Sequence, residues 1–224
     1  TEPGTGLGYS GYIVNSGVND AVLTVGDSRS STYAGQILDY VRLVKQGTGS
    51  LTLTNTNANL AGTVVAEGSL VLAGGSNRLL AGGSVTLGSA TTSGLLVLGD
   101  ATGAVSQSLG AAPVVGLGGQ IVGGNASLST LNLNPVVSGT FQARIGGDAA
   151  NQNNLAVVKL GTGIATLSGA NSYTGPTTVA NGTLVFANEN ALYGNNTASW
   201  TAANLTVQPG APATAKAAVA PGCT

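Results

Sequence analysis

Histidine and methionine are absent from the 224 residues, and the one cysteine, Cys223, stands next to the last position. Without histidine there is no Ser-His-Asp or Cys-His nucleophile and no histidine-based zinc site within one chain. One cysteine excludes an intramolecular disulfide; Cys223 reads as an unpaired tail residue or as a thiol that cross-links neighbours in an oxidising compartment. Charge is scarce too, 7% of residues against roughly 25% in an ordinary globular domain. The net charge is -1, and the seven cations (Arg29, Arg42, Lys45, Arg78, Arg144, Lys159 and Lys216) are scattered, so the surface is expected to be unusually uncharged. No basic stripe is available to a nucleic-acid backbone or an anionic lipid surface. No run approaches the roughly 18 apolar residues of a spanning helix. With 42% hydrophobic residues, the chain is nevertheless too apolar for a solvated coil, which leaves a folded β protein, soluble or assembled.

Glycine and repetition take the place of charge. Laid on itself with Lys45 against Lys159, 114 positions on, the chain matches without a gap from Lys45–Ala73 to Lys159–Ala187. Gly47/Gly161, Thr52/Thr166, Leu53/Leu167, Asn57/Asn171, Thr63/Thr177, Val65/Val179, Gly68/Gly182 and Leu70/Leu184 coincide. An ungapped match of that length marks repeated structure. Short alternating runs such as Leu51-Thr52-Leu53-Thr54 and Leu70-Val71-Leu72, set between Gly, Asn and Thr, predict strands and tight turns. The apolar pairs Leu51/Leu53, Leu70/Leu72, Val85/Leu87, Leu96/Leu98, Val115/Leu117 and Leu131/Leu133 recur at a mean step of 16 residues from 51 to 131. That spacing predicts one strand per side of a coil, two or three strands to a coil, and on the order of ten coils or fewer. The 36 glycines, many in pairs such as Gly74-Gly75 and Gly123-Gly124, are expected at the corners.

Residues 1–208 are expected to form this β-solenoid, with the repeat at 45–73 and 159–187. Residues 209–224 read as an extended tail, because Pro209, Pro212 and Pro221 interrupt an Ala-rich run. The opening Thr1-Glu2-Pro3-Gly4 has neither Met nor a charged and apolar leader, as expected of a processed or excised chain.

The stretch Lys159-Leu160-Gly161-Thr162-Gly163, the alternation Ile164–Ser168, then Gly169-Ala170-Asn171-Ser172-Tyr173-Thr174-Gly175 and Asn181-Gly182-Thr183-Leu184 closely resembles the autotransporter-associated β-strand repeat. The copy from Leu43 to Ala73 departs from it at Asn59, where Tyr is expected, and at Glu67, where Asn is expected. The resemblance implies an all-β, right-handed parallel β-helix from an extracellular or cell-surface bacterial protein, belonging to a long passenger region in which such repeats build a stalk. No series of amphipathic strands with aromatic girdles, as a membrane barrel would need, is present in this sequence.

Candidate chemistry is sparse. Asp27 and Asp39 are the carboxylates that stacking could bring together as a glycosidase pair, with solvated loop acids as the plainer reading. Gly6-Leu7-Gly8-Tyr9-Ser10-Gly11 matches a nucleotide-loop pattern by letter but lacks the flanking strand and helix. The loop Gly146-Gly147-Asp148-Ala149-Ala150-Asn151 offers one carboxylate to a calcium ion. Thr52, Thr54 and Thr56 form a row of the kind found on flat ice-binding faces if successive coils repeat it, and otherwise are ordinary strand residues. Asn125, Asn181, Asn195 and Asn204 begin N-x-[ST] triplets and are expected in turns and ladders.

No catalytic, metal or cofactor site is assigned, and the chain is not expected to be an enzyme. The functional expectation is an extracellular structural subunit that self-assembles head to tail into a fibre or layer, through its open coil edge, through residues Thr1 to Val14, or through the tail. The alternative is an adhesin-type passenger module that binds host or matrix glycans or proteins through loops such as those at Asp148 and Trp200.

Overall fold

The computed structural model describes residues 11–110, 114–115, 118–208 and 216–219. They form an all-β solenoid of about eight turns, every ladder of which is parallel. The described residues contain no α-helix, only three single-turn 3-10 segments between Glu189 and Ser199, and no helix long and apolar enough to cross a membrane.

Each full coil has three sides. The first carries Tyr12–Asn15, Gln36–Asp39 and Ala58–Asn59, and later Ser106–Leu109, Ser129–Leu133, Leu155–Lys159, Thr177–Val179 and Leu205–Val207. Residues 77–79 join these two ladders: Asn57 N donates to Arg78 O (3.0 Å) and Asn77 N to Ser106 O (2.8 Å). There the buried Gln107 amide substitutes for backbone, accepting from Leu79 N and donating to Leu79 O, each at 3.1 Å. The second side carries Ala21–Val25, Val41–Lys45, Thr63–Val65, Val85–Leu87 and Val114–Val115. In later coils its place in chain order is taken by Gly139–Phe141, Ile164–Leu167, Thr183–Phe186 and Lys216–Val219. The third side stacks Ser31–Tyr33, Ser50–Leu53, Gly68–Leu72, Gly94–Leu98, Gln120–Gly123 and Arg144–Ile145. It continues to 171–173 and 190–191, with Ser172 N donating to Ile145 O and Asn171 N to Asn190 O, both at 2.9 Å.

Side chains alternate across each strand, so one column points inward and the next outward. Leu51, Leu70, Leu96, Ile121 and Ile145 stack as one buried column, and Leu53, Leu72 and Leu98 as the next. Each such side chain contributes about 1.5–3 kcal/mol. Neighbours in the first column are 19, 26, 25 and 24 residues apart. The 16-residue step read from the sequence therefore mixes two distances, from coil to coil and from side to side. It also includes Leu117, which lies outside the described residues.

The ladders are interrupted at corners, and the repeated motif supplies side chains that take over. Asn57 Oδ1 accepts from Ile37 N (2.8 Å) in the coil before, and its Nδ2 donates to Arg78 O (2.9 Å) in the coil after. Asn171 does the same with Ile145 N (2.8 Å) and Ala191 O (2.7 Å). Lys45 occupies an inward core position between Val25 and Val65, and Lys159 one between Leu133 and Val179; both are fully buried. Their ammonium groups bend to corner carbonyls: Lys45 Nζ donates to Gln46, Gly47 and Glu67 O, and Lys159 Nζ to Gly161 and Asn181 O. Burial lowers the pKa of both lysines, opposed at Lys45 by the charges of Glu67 and Asp27. These two cations thus belong to the interior rather than to the scattered surface set inferred from composition.

The weaker copy keeps the geometry where it changes the letters. Tyr173, fully buried and with its phenol pushed up by burial, bonds Thr177 Oγ1 at 2.7 Å; Asn59 reaches the equivalent Thr63 Oγ1 at 3.2 Å. Glu67 stands for Asn181 and keeps the lysine's bond, because the lysine donates to the backbone oxygen of each, at 3.2 Å. The two copies lie on different sides of the coil. Lys45 ends a second-side strand and Asn57 precedes a first-side strand, whereas Lys159 ends a first-side strand and Asn171 lies on the third side.

Asn171→Ala strands Ile145 N and Ala191 O, at about 1–3 kcal/mol for each buried group left unpaired. We expect a matching drop in unfolding free energy in urea, with Asn57→Ala close behind; a loss under ~0.5 kcal/mol would show that the corner does not depend on the side chain. Gly68 (φ 66°) and Gly182 (φ 64°) pack against the corner carbonyls and the lysine ammonium in the same way. Gly182→Ala is expected to cost more than ~1 kcal/mol in the same assay.

Candidate functional site: a glycine-floored groove

Along one edge of the third side four successive coils carry Gly-x-Leu/Ile: Gly49-Ser50-Leu51, Gly68-Ser69-Leu70, Gly94-Leu95-Leu96 and Gly119-Gln120-Ile121. The ladder registers stack these segments, Gly68 against Gly94 and Ser69 against Leu95 against Gln120. A Cβ at Gly49, Gly68 or Gly94 would run into a carbonyl of the preceding coil, so the glycines let successive coils close up at this corner, and the outward column beside them, Ser69, Leu95 and Gln120, forms with Gly68 and Gly94 a floor that runs parallel to the solenoid axis. Residues 91–93 and 148–152 rise beside it and, with Thr48, Glu67, Ser69 and Gln120, enclose an open groove of about 650 Å³. A second hollow of about 390 Å³, bounded by Gln142, Arg144 and Gly169, shares Gly118 and Gln120 with it and extends its line.

The walls are held by their own hydrogen bonds. Ser89 and Thr92 hydroxyls meet at 2.6 Å and close the turn that carries Thr91. On the opposite side Arg144 grips Asp148 with two bonds, Nη1 to Oδ2 at 3.0 Å and Nη2 to Oδ1 at 2.6 Å. Arg144 Nη2 also donates to Ser172 Oγ (3.0 Å), and that hydroxyl donates to Asn153 Oδ1 (2.8 Å), which in turn accepts from Gly147 N (2.9 Å). Gln152 Oε1 accepts from Ala149 N at 3.0 Å. The Asp148 carboxyl is held below its ordinary range by the hydrogen bond and charge of Arg144.

The other sequence candidates are dispersed. Asp39 stacks between Asn15 and Asn59, while Asp27 faces Gly49 in the next coil and bonds Arg29 N at 2.6 Å, so neither meets a second carboxylate through the stack. Asp148, the acid of the suggested calcium loop, is engaged by Arg144. Among the described residues no three His, Cys, Asp or Glu side chains group closely enough to hold a metal. Thr52 is flanked by Thr32 in one coil and Val71 in the next, so the threonine row does not continue. Asn125, Asn181, Asn195 and Asn204 all spend side-chain atoms on turns, bonding Asp100 O, Gly182 N, Glu189 Oε2 and Ser199 O. Trp200 is exposed, with Nε1 directed to Leu192 O (3.4 Å). Residues 6–10 of the glycine pattern, Cys223 and the tail apart from 216–219 lie outside the described residues. The described part of the Thr1 to Val14 segment pairs with Gln36–Asp39 of its own chain.

Because Asp148 is more acidic in the folded chain than free, the unfolded chain binds its proton more tightly. The stabilisation it gives is present above the ordinary value of 3.8 and lost as pH falls through its folded value. Urea midpoints followed from about pH 5 to pH 2 should fall more steeply in the natural chain than in Asp148→Asn; parallel curves would remove the ion pair from the acid response.

Comparison with known proteins fits this architecture. The passenger-associated-transport-repeat model matches residues 43–77 and 157–186, the two segments with the buried lysine and bridging asparagine. The chain is 34% identical over 175 residues to the adhesin BmaC autotransporter of Brucella suis biovar 1 (strain 1330), an alignment that covers 78% of this chain and 5% of that protein. No solved structure matches the chain. The chain thus carries two copies of the passenger-associated-transport-repeat, on the coils whose corners they build, and is similar over most of its length to a small part of an autotransporter adhesin.

Proposed function

We propose that the chain is a segment of an adhesin-type passenger, a non-enzymatic rod at the bacterial surface or in the surrounding medium that holds binding loops away from the cell. The observation that carries this is the similarity to an autotransporter adhesin across most of the chain. The fold suits the role, since eight stacked coils at about 4.8 Å each make a rod roughly 4 nm long whose loops are fixed by bonds such as Arg144–Asp148.

Self-assembly is the second reading, and one observation favours it. Tyr12, Val14, Val18 and Val22 of the first described coil are exposed. Its strands have a further ladder partner on one edge only among the described residues. Such an edge invites another strand.

Beads coated with the purified chain are expected to attach to host-cell monolayers or matrix-coated surfaces several times more often than uncoated beads. Attachment equal to the uncoated control overturns the adhesin reading. Negative-stain microscopy across a concentration series should show discrete short rods, whereas filaments with a regular axial repeat would return the weight to a self-assembling subunit.

A further inference from the structure

We propose that the glycine-floored groove on the third side binds a linear polysaccharide of neutral or amine-bearing sugars, laid parallel to the solenoid axis; this rests on the adhesin reading and names the ligand class for it. The direction follows from the floor. Ser69, Leu95 and Gln120 succeed one another from coil to coil on the outward face, beside Gly68 and Gly94, so a ligand lying on them crosses the strands and meets a new coil every ~4.8 Å. A sugar unit in an extended chain has about that length, so successive units fall on successive coils.

The chemistry follows from the walls. They carry hydroxyls (Thr48, Thr91, Ser93), amides (Gln120, Gln152) and two carboxylates, Glu67 and Asp148. Hydroxyls and amides both donate and accept, as a polyol requires. The cation at the far end, Arg144, is already committed to Asp148. With Asp148 paired to Arg144, the charge outside an ion pair in the lining is the carboxylate of Glu67, which disfavours a sulfated or phosphorylated polymer and leaves room for an amino group. A peptide added as a further strand finds no place, since the floor's backbone is already in ladders: Ser69 N donates to Gly49 O, Gly68 and Gly94 are paired, and Arg144 N donates to Gly119 O. No aromatic side chain lines the groove, so binding depends on many hydrogen bonds of modest strength and must grow with ligand length.

The test is titration calorimetry of the whole chain with glucose and N-acetylglucosamine oligomers, joined β-1,4, of about two to about six units. Affinity is expected to rise with length to about four units, one for each coil from Gly68 to Arg144, and then level off. A sulfated oligosaccharide of equal length should not bind. Ser93→Trp sets a large side chain at an exposed position over the floor and should weaken binding by about tenfold or more with the far-UV spectrum and Tm unchanged. If that variant loses its fold, Gln120→Ala with Gln152→Ala replaces it, with the same direction expected. Binding that ignores length, binding untouched by these variants, or no binding by either oligomer series overturns the proposal. If coated beads adhere equally well with Ser93→Trp, the groove assignment fails while the adhesin reading stands. If oligomers bind as described and beads never adhere, the groove assignment stands and the adhesin reading fails.

Discussion

In a parallel solenoid the backbone N–H and C=O groups of every strand point along the axis, so each coil is satisfied only by the coils on either side of it. This constraint is easily met along the flat sides and hard to meet where the chain turns. The structure meets it with side chains that imitate backbone. Asn57 and Asn171 each accept from the coil before and donate to the coil after. Gln107 closes the gap at Leu79, and Ser129 Oγ accepts from Val105 N while donating to Leu98 O. Remove these and the ladders remain, but the corners between them would hold buried, unpaired polar groups.

The lysines show the same constraint acting on charge. A core column between Val25 and Val65 asks for an apolar residue, and Lys45 answers with its aliphatic stem while carrying its ammonium to the corner. Carbonyl dipoles there receive a full charge, which strengthens each bond and offsets desolvation. With Lys45 and Lys159 turned inward, the surface holds even less positive charge than the composition suggests.

Much of this fold was legible because alternation and glycine spacing are local properties. Leu51-Thr52-Leu53 declares a strand with one buried edge whatever it pairs with, and the coincidence of Asn57 with Asn171 marks a position under common demand. The number of sides to a coil was not legible. Coils of 19 to 26 residues blur any single period, and the strands at Val85 and Leu96, which look like successive steps, sit on different sides. The role of Asn57 was hidden because its partners are backbone atoms of Ile37 and Arg78, which leave no mark in the sequence. The groove does leave a signal in the chain, Gly-x-Leu/Ile at four of the six third-side strands. The Arg144–Asp148 clasp had none, since its bond geometry depends on how residues 146–154 fold back.

The two copies of the repeat begin on different sides of the coil, and this bears on how a longer rod of such units would present itself. A motif that carries its own lysine, asparagine and corner glycine does not need to start at a fixed angle, so unequal coils can separate copies without spoiling either. Equivalent loops of successive copies then face different compass points around the shaft. Contacts would be offered all round its circumference, and a rod rolling against a surface would keep finding one.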